Sequence, residues 1–349
     1  MPPVGASVFA TPRLRIRRWR RDDLPLARQL WGDPEVTRFI DARSTLPPEA
    51  ILERLDTEIA TEAGSGVQYW PLFLRETGEF VGCAGLRPRP PAGSPNRPAL
   101  VYELGFHLRP TFRGRGLALE AAHAAARQAF DILGATALFA GHHPDNERSR
   151  LLLERLGFRF THRERYPPTG LDHPSYRCEP TDLVNAGPVL RAMRAADWPA
   201  VKSIYEAGLA EQAPTYRNVH PDRDAWVHAH PGPQLVATLA GAVVGWAALG
   251  RLPAATDADP AAAVYVAEAY RGRGLGALLL DELLAAARDA GLVPVFASVF
   301  TNNAASLRLL DRAGFRRFRT EPRPPDFNGN WLETELRVWR AETPATPAP

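Results

Sequence analysis

Arg113-Gly114-Arg115-Gly116-Leu117-Ala118 follows an apolar run, Ala99 to Leu108, and opens an Ala/Leu-rich segment that reaches about Leu133. The arrangement returns 158 positions later as Arg271-Gly272-Arg273-Gly274-Leu275-Gly276. Each copy leads to a second matched pair. Asn146-Glu147-Arg148-Ser149 runs on to Gly157-Phe158, and Asn303-Ala304-Ala305-Ser306 runs on to Gly314-Phe315, with the asparagines 157 positions apart. A glycine-rich turn capping an ordinary helix would explain one copy. Two ordered pairs at a near-constant offset predict a duplicated domain.

The residue types suit an anion. A strand-to-helix turn with little side-chain bulk exposes consecutive backbone N–H groups at the positive end of a helix dipole, where a pyrophosphate binds well. Gly114, Gly116, Gly272, Gly274 and Gly276 let the backbone approach closely and adopt positive φ. Leu117, Ala118 and Leu275 place the first helical amides. Arg113, Arg115, Arg271 and Arg273 can add charge-assisted contacts. A dinucleotide fingerprint needs a third glycine where Leu119 and Ala277 stand, and a nucleoside-triphosphate loop needs Gly-Lys-Ser/Thr, which is absent.

This pattern, R-x-x-G-x-G/A followed by N-x-x-S and a closing Gly-Phe, resembles the GNAT acyltransferase superfamily over nearly the whole chain. The resemblance implies a cytoplasmic N-acetyltransferase of α/β class. Two tandem domains, residues 8–180 and 187–340 with a disordered tail 341–349, would each hold a mixed, mostly antiparallel sheet with helices on both faces. It implies acetyl-CoA as co-substrate, with the pantetheine arm entering a gap between the strands before and after the loop. Phe106, His107 and Leu108 would then act through their main chain, polarising the thioester carbonyl. Val264, Tyr265 and Val266 match them in the second copy. Asn146 and Asn303 are expected beside the cofactor or as helix caps.

Glu103 is the expected general base. It interrupts the apolar stretch Val101-Tyr102-Glu103-Leu104-Gly105-Phe106. With period two, Tyr102, Leu104, Phe106 and Leu108 share one face, and Glu103 lies opposite with Gly105 and His107. A structural carboxylate paired with an arginine is the alternative. The family supports a base at this position. Many members also carry a tyrosine seven residues after the motif asparagine; here Leu153 and Leu310 stand there. Ser149 is the remaining hydroxyl for the general acid, against a plain helix-start role.

Thr11-Pro12-Arg13-Leu14, Asp33-Pro34-Glu35-Val36 and Tyr102-Glu103-Leu104-Gly105-Phe106 are similar to ribosomal-protein N-terminal acetyltransferases. Ser203-Ile204-Tyr205-Glu206-Ala207, Val264-Tyr265-Val266 and Asn328-Gly329-Asn330-Trp331 are similar to phosphinothricin acetyltransferases. That second group carries a glutamate ten residues before the loop arginine, where this chain has Ala261. Asp257 and Asp259 read as solvated loop charges. The first domain is therefore the expected catalyst, acting on a peptide N-terminus or a small amine. Two readings compete: a small-molecule acetyltransferase with both domains active, and a non-catalytic acyl-CoA sensor.

Composition agrees with a soluble, two-domain protein. Hydrophobic residues make up 45% and charged residues 23% of 349. A net charge of +3 makes no demand for a nucleic-acid partner. Lys202 is the sole lysine among 42 basic residues, which reads as base composition of the genome. Cys83 and Cys178 form no metal-ligand pattern and are expected reduced. His142-His143 is expected to be a surface pair at a strand end, with no metal site. No signal peptide or spanning segment is read, and the halves are expected as an internal pseudo-dimer or a homodimer.

Overall fold

The structure is a computed structural model and describes residues 7–43, 45–89, 101–210, 222–251, 259–323 and 332–341. The chain divides into two compact units, Ser7–Val189 and the part from Leu190 onward.

In the first unit, β1 (Phe9–Ala10), β2 (Leu14–Ile16), β3 (Tyr69–Leu74), β4 (Phe80–Pro88), β5 (Val101–Leu108), β6 (Ala137–Gly141), β7 (Arg159–Tyr166) and β8 (Leu171–Cys178) form a sheet of order 1-2-3-4-5-6-8-7. Among the described residues of this unit only β5 and β6 are parallel. Helices cover both faces. On one, α1 (Leu24–Trp31) and α3 (Pro48–Ser65) bury Leu30, Trp31 and Leu55 against Tyr69, Phe80 and Cys83. A short α2 (Pro34–Thr37) follows α1. On the other face, α4 (Leu117–Arg127) turns Ala121, Ala122, Ala124, Ala125 and Ala126 inward. These short side chains let the helix axis sit close to Leu104 and Trp70. α5 (Glu147–Arg155) starts at an Asn146 cap and buries Leu153.

The second unit repeats the plan. Its sheet runs β9 (Val189–Ala192), β10 (Gln234–Leu239), β11 (Ala242–Arg251), β12 (Pro260–Val266), β13 (Val295–Phe300), β15 (Leu332–Trp339), β14 (Arg316–Arg323). Again one pair, β12 with β13, is parallel. α6 (Trp198–Ala210) and α7 (Arg223–Ala229) pack Val201, Ile204, Tyr205 and Trp226 on one face. α8 (Leu275–Asp289) buries Leu275, Leu279, Leu280, Leu283 and Leu284. α9 (Ala304–Arg312) has its Asn303 cap.

A further repeat escaped the sequence reading. Arg17 forks onto Asp23 at 2.6 and 2.7 Å, and Arg191 forks onto Asp197 at 2.7 and 2.8 Å. Each aspartate also accepts the main-chain N–H three residues before it, from Arg20 and Arg194. The pair thereby fixes the turn from the opening strand into the first helix. The arginines are 174 positions apart rather than 158, so a loop-based alignment does not register them.

The Pro/Gly-rich composition of Arg87 to Pro98 favours a loop. Arg87 and Pro88 instead extend β4, opposite Glu103 and Tyr102, and 90–98 lie outside the described residues. Asp257, Asn328 to Trp331 and the tail 342–349 lie outside them too. Cys83 and Cys178 are buried free thiols. Among the described residues no helix is long and apolar enough to cross a membrane.

Candidate active site

β5 and β6 pair only at Val101, Tyr102 and Glu103, although β5 continues to Leu108. From Leu104 onward the two strands part. A cleft of about 1040 Å³ opens there, running from Gly114 and Gly116 past Asn146 and Ser149 to Glu103, Tyr69 and Tyr166.

At one end lies the loop. Gly114 and Gly116 both have φ of 74°, and Gly272 and Gly274 have 72° and 80°. Gly116 and Gly274 are N-caps with no side chain, whereas Asn146 and Asn303 cap their helices through the side-chain oxygen. The first helical bonds to the capping carbonyls come from Glu120 and Leu278. Helical geometry thus leaves the preceding amides, including those of Leu117, Ala118, Leu275 and Gly276, without a helical acceptor. A bare glycine cap ahead of such donors fits a diphosphate.

The loop arginines divide their work. Arg113 Nε donates to the Leu108 carbonyl at 3.2 Å, and Arg271 Nε to the Val266 carbonyl at 3.0 Å. These side chains tie loop to strand. Arg115 lies over Phe112 at 5.6 Å and Arg273 over Tyr270 at 5.6 Å.

Strand alternation separates the three main-chain positions. The N–H of Arg109 bonds to Val81 and that of Arg89 to Val101, so odd-numbered residues of β5 spend their main chain on β4. Phe106 and Leu108 therefore face the gap, and His107 does not. This corrects the expectation of a main-chain role for His107. In the second unit the N–H of Ala267 bonds to Val244, so Val264 and Val266 face the gap and Tyr265 does not.

The His107 side chain lies instead among Trp31, whose Nε1 donates to Nδ1 at 3.4 Å, and Cys83, 3.7 Å away. Burial, then the charges of Arg54 and Arg87, hold its pKa well below the usual imidazole value.

Glu103 is half-buried on the same strand face. Its cross-strand neighbour Arg87 does not form its close ion pair with it: Arg87 reaches Glu58 at 2.6 Å. Glu103 Oε1 has the Tyr69 hydroxyl at 3.4 Å. Burial, and then Glu103, push the Tyr69 phenol well above its usual pKa, so it stays a donor. Tyr69 reaches this place because residue 105 is glycine; a Cβ there would stand 2.3 Å from the Tyr69 ring.

Ser149 lies half-buried in the cleft, with its N–H on Asn146 Oδ1 at 3.2 Å. His142 and His143 are not a surface pair. His142 is 6% exposed, and both line the cleft with His173. β8 runs antiparallel to β6 with Ser175 opposite Gly141, which brings His173 within 5.6 Å of His143. Sequence spacing of 30 positions hid this neighbour. Tyr69 and Tyr166 were also missed; only the small Gly105 beside an acidic strand residue hinted at an aromatic partner. Among the described residues no group of three side chains could hold a metal ion.

In the second unit, Ala261 occupies the Glu103 position and Tyr265 the His107 position. Tyr265 stacks on Trp246 at 4.6 Å and meets Tyr205 edge-on at 5.4 Å. That strand face is aromatic and apolar. Asp259 is half-buried, just before β12.

A model of the acetyltransferase (GNAT) domain matches residues 13–159, and a model of the acetyltransferase (GNAT) family matches residues 198–315. The L-methionine sulfoximine/L-methionine sulfone acetyltransferase of Pseudomonas paraeruginosa is 33% identical over 153 residues, 41% of this chain and 89% of that protein. The chain belongs to the GNAT acetyltransferase family. This GNAT protein is also 31% identical over 157 residues to a putative phosphinothricin acetyltransferase of Bacillus subtilis, covering 42% of this chain and 95% of that one. The solved ribosomal-protein-alanine N-acetyltransferase of Brucella melitensis is similar at 29% identity and a TM-score of 0.41, over 44% of this chain and 99% of that chain. This GNAT protein is accordingly an N-acetyltransferase.

Proposed function

We propose that the first unit is the catalyst and moves an acetyl group from acetyl-CoA to a primary amine. The observation that carries this is the single cleft joining the glycine-capped helix end to Glu103. Glu103, directly or through water, takes the proton from the acceptor ammonium. The free amine attacks the thioester carbon. Main-chain N–H groups of Phe106 and Leu108 stabilise the oxyanion, each such donor being worth ~10²–10³ in rate. The attached nitrogen gives its second proton to solvent as the C–S bond breaks, and Ser149 or solvent protonates the thiolate. Gly114 to Ala118 hold the diphosphate, with Arg115 adding charge and Asn146 lining the passage.

The second unit, with Gly272 to Gly276 and Asn303 in place but Ala261 for the base, binds the cofactor and is catalytically weak. The Pseudomonas relative is named for acetylating amino-acid analogues, which supports a small acceptor. The buried free thiols of Cys83 and Cys178 support a reducing, cytoplasmic setting.

Steady-state assays of thioester cleavage over an amine panel test the proposal. Glu103→Gln is expected to lower kcat/KM by ~10²–10⁴ and to remove the fall in rate on the acidic side that protonation of a general base causes. An unchanged rate and pH profile would overturn the assignment. Calorimetry is expected to count two acetyl-CoA sites per chain.

A further inference from the structure

The acceptor end of the cleft is crowded with arginines, and most are answered. Arg87 pairs with Glu58 at 2.6 Å and Arg89 with Glu164 at 2.7 Å. Arg38 lies 3.9 Å from Glu35. Arg54, on α3, is different. Its guanidinium lies over the Trp31 ring at 5.0 Å, and its Nε is buried with no hydrogen-bond partner among the described residues. Asp41 feels its charge but is held by Arg43 at 2.8 Å. Arg148 and Arg155 line the cleft as well, but they sit exposed on α5, and Arg148 is close enough to act on Arg113 of the phosphate loop.

A partly desolvated guanidinium with an unmet donor is costly unless a ligand answers it. Stacking on Trp31 uses one face and leaves the planar edge, whose geometry matches a carboxylate in bidentate fashion. Burial keeps the neighbouring His107 ring neutral, so it adds no positive charge beside Arg54. Arg54, Glu103 and Tyr166 all line the same cleft. The cleft therefore holds both a cation and a proposed amine-directed base.

We infer that Arg54 receives the carboxylate of the acceptor, so that the first unit acetylates an amino acid or another small amine bearing a carboxylate. This rests on the reading of Glu103 as the base of an acetyltransferase and narrows its substrate class. Arg54 is a specificity residue and takes no part in bond making.

The test uses the full chain and acetyl-CoA. Free amino acids are compared with their amides, their decarboxylated amines and short peptides, in wild type, Arg54→Gln and Arg54→Lys. Wild type is expected to prefer the free acid by at least about 100-fold in kcat/KM, in line with a site built to pair a polar group. Arg54→Gln should raise KM for the acid at least about tenfold with kcat little changed and the acid-to-amide preference lost; Arg54→Lys should recover part of it. Acetyl-CoA binding by calorimetry should be unaltered in both variants. Equal turnover of acid and amide by wild type, a preference that survives in Arg54→Gln, or turnover of peptides alone would overturn the inference while leaving the acetyltransferase reading intact. Failure of every amine to promote thioester cleavage would defeat both.

Discussion

Arg13 Nη1 donates to the main-chain oxygen of Arg115 at 2.7 Å, so a residue just before β2 clasps the phosphate loop of the first unit. The clasp is itself braced. Arg13 Nε meets Glu120 Oε2 at 2.6 Å, and Glu120 Oε1 takes the Thr11 hydroxyl at 2.5 Å and the Arg13 N–H at 2.9 Å. Glu120 sits in the first turn of α4, where a carboxylate also suits the helix dipole.

Replacing Arg13 by Ala is therefore expected to loosen the loop without removing any group that contacts substrate. Acetyl-CoA affinity of the first unit should fall by about tenfold, a cost of ~1.4 kcal/mol. Calorimetry should show one weakened site and one unaltered site. Equal weakening of both would show that Arg13 does not act through the Arg115 carbonyl.

Gly105 is expected to tolerate no side chain. In Gly105→Ala the new methyl would meet the Tyr69 ring, displacing the phenol that faces Glu103. Overpacking of this kind costs ~1–3 kcal/mol. Thermal unfolding should show a lower Tm, and turnover should fall further than in Tyr69→Phe, which removes only a long 3.4 Å contact. A Gly105→Ala enzyme with wild-type Tm and activity would contradict the packing described.

Asp197 links the second unit to pH. Burial raises its pKa, but the Arg191 fork and the Arg194 N–H outweigh that and leave the carboxyl below its usual value near 3.8. A depressed folded-state pKa gives stability that is fully present above the unfolded value and lost as pH falls through the folded one. Acid titration of unfolding in urea should show this loss below about pH 4. Asp197→Asn should remove it and cost ~3–5 kcal/mol at neutral pH, because a buried Arg191 is left uncompensated. A variant as stable as wild type at pH 7 would refute the assignment.

The loops, their glycines and the asparagine caps were legible because local chemistry dictates them: positive φ at residue 116 or 274 and a side-chain oxygen at residue 146 or 303 leave marks in the chain itself. Glu103 was legible as a charge breaking an apolar alternation. Tyr69, Tyr166 and His173 were not, since they reach the cleft through strand pairings whose register the sequence does not state. The same gap explains His107. Its strand was recognised, but which edge its amide faces depends on the bond from Arg109 to Val81. The His142-His143 pair was misjudged for the same reason, since β8 folds back to cover it.

The residues that shape each half and the residues that equip it for reaction are separate sets. An arginine–aspartate fork at the opening turn is retained in both copies, while the carboxylate of the fifth strand survives in one. With Glu103 as the proposed base, Ala261 alters what the later copy could do while the fork at Arg191 and Asp197 still builds the same opening turn.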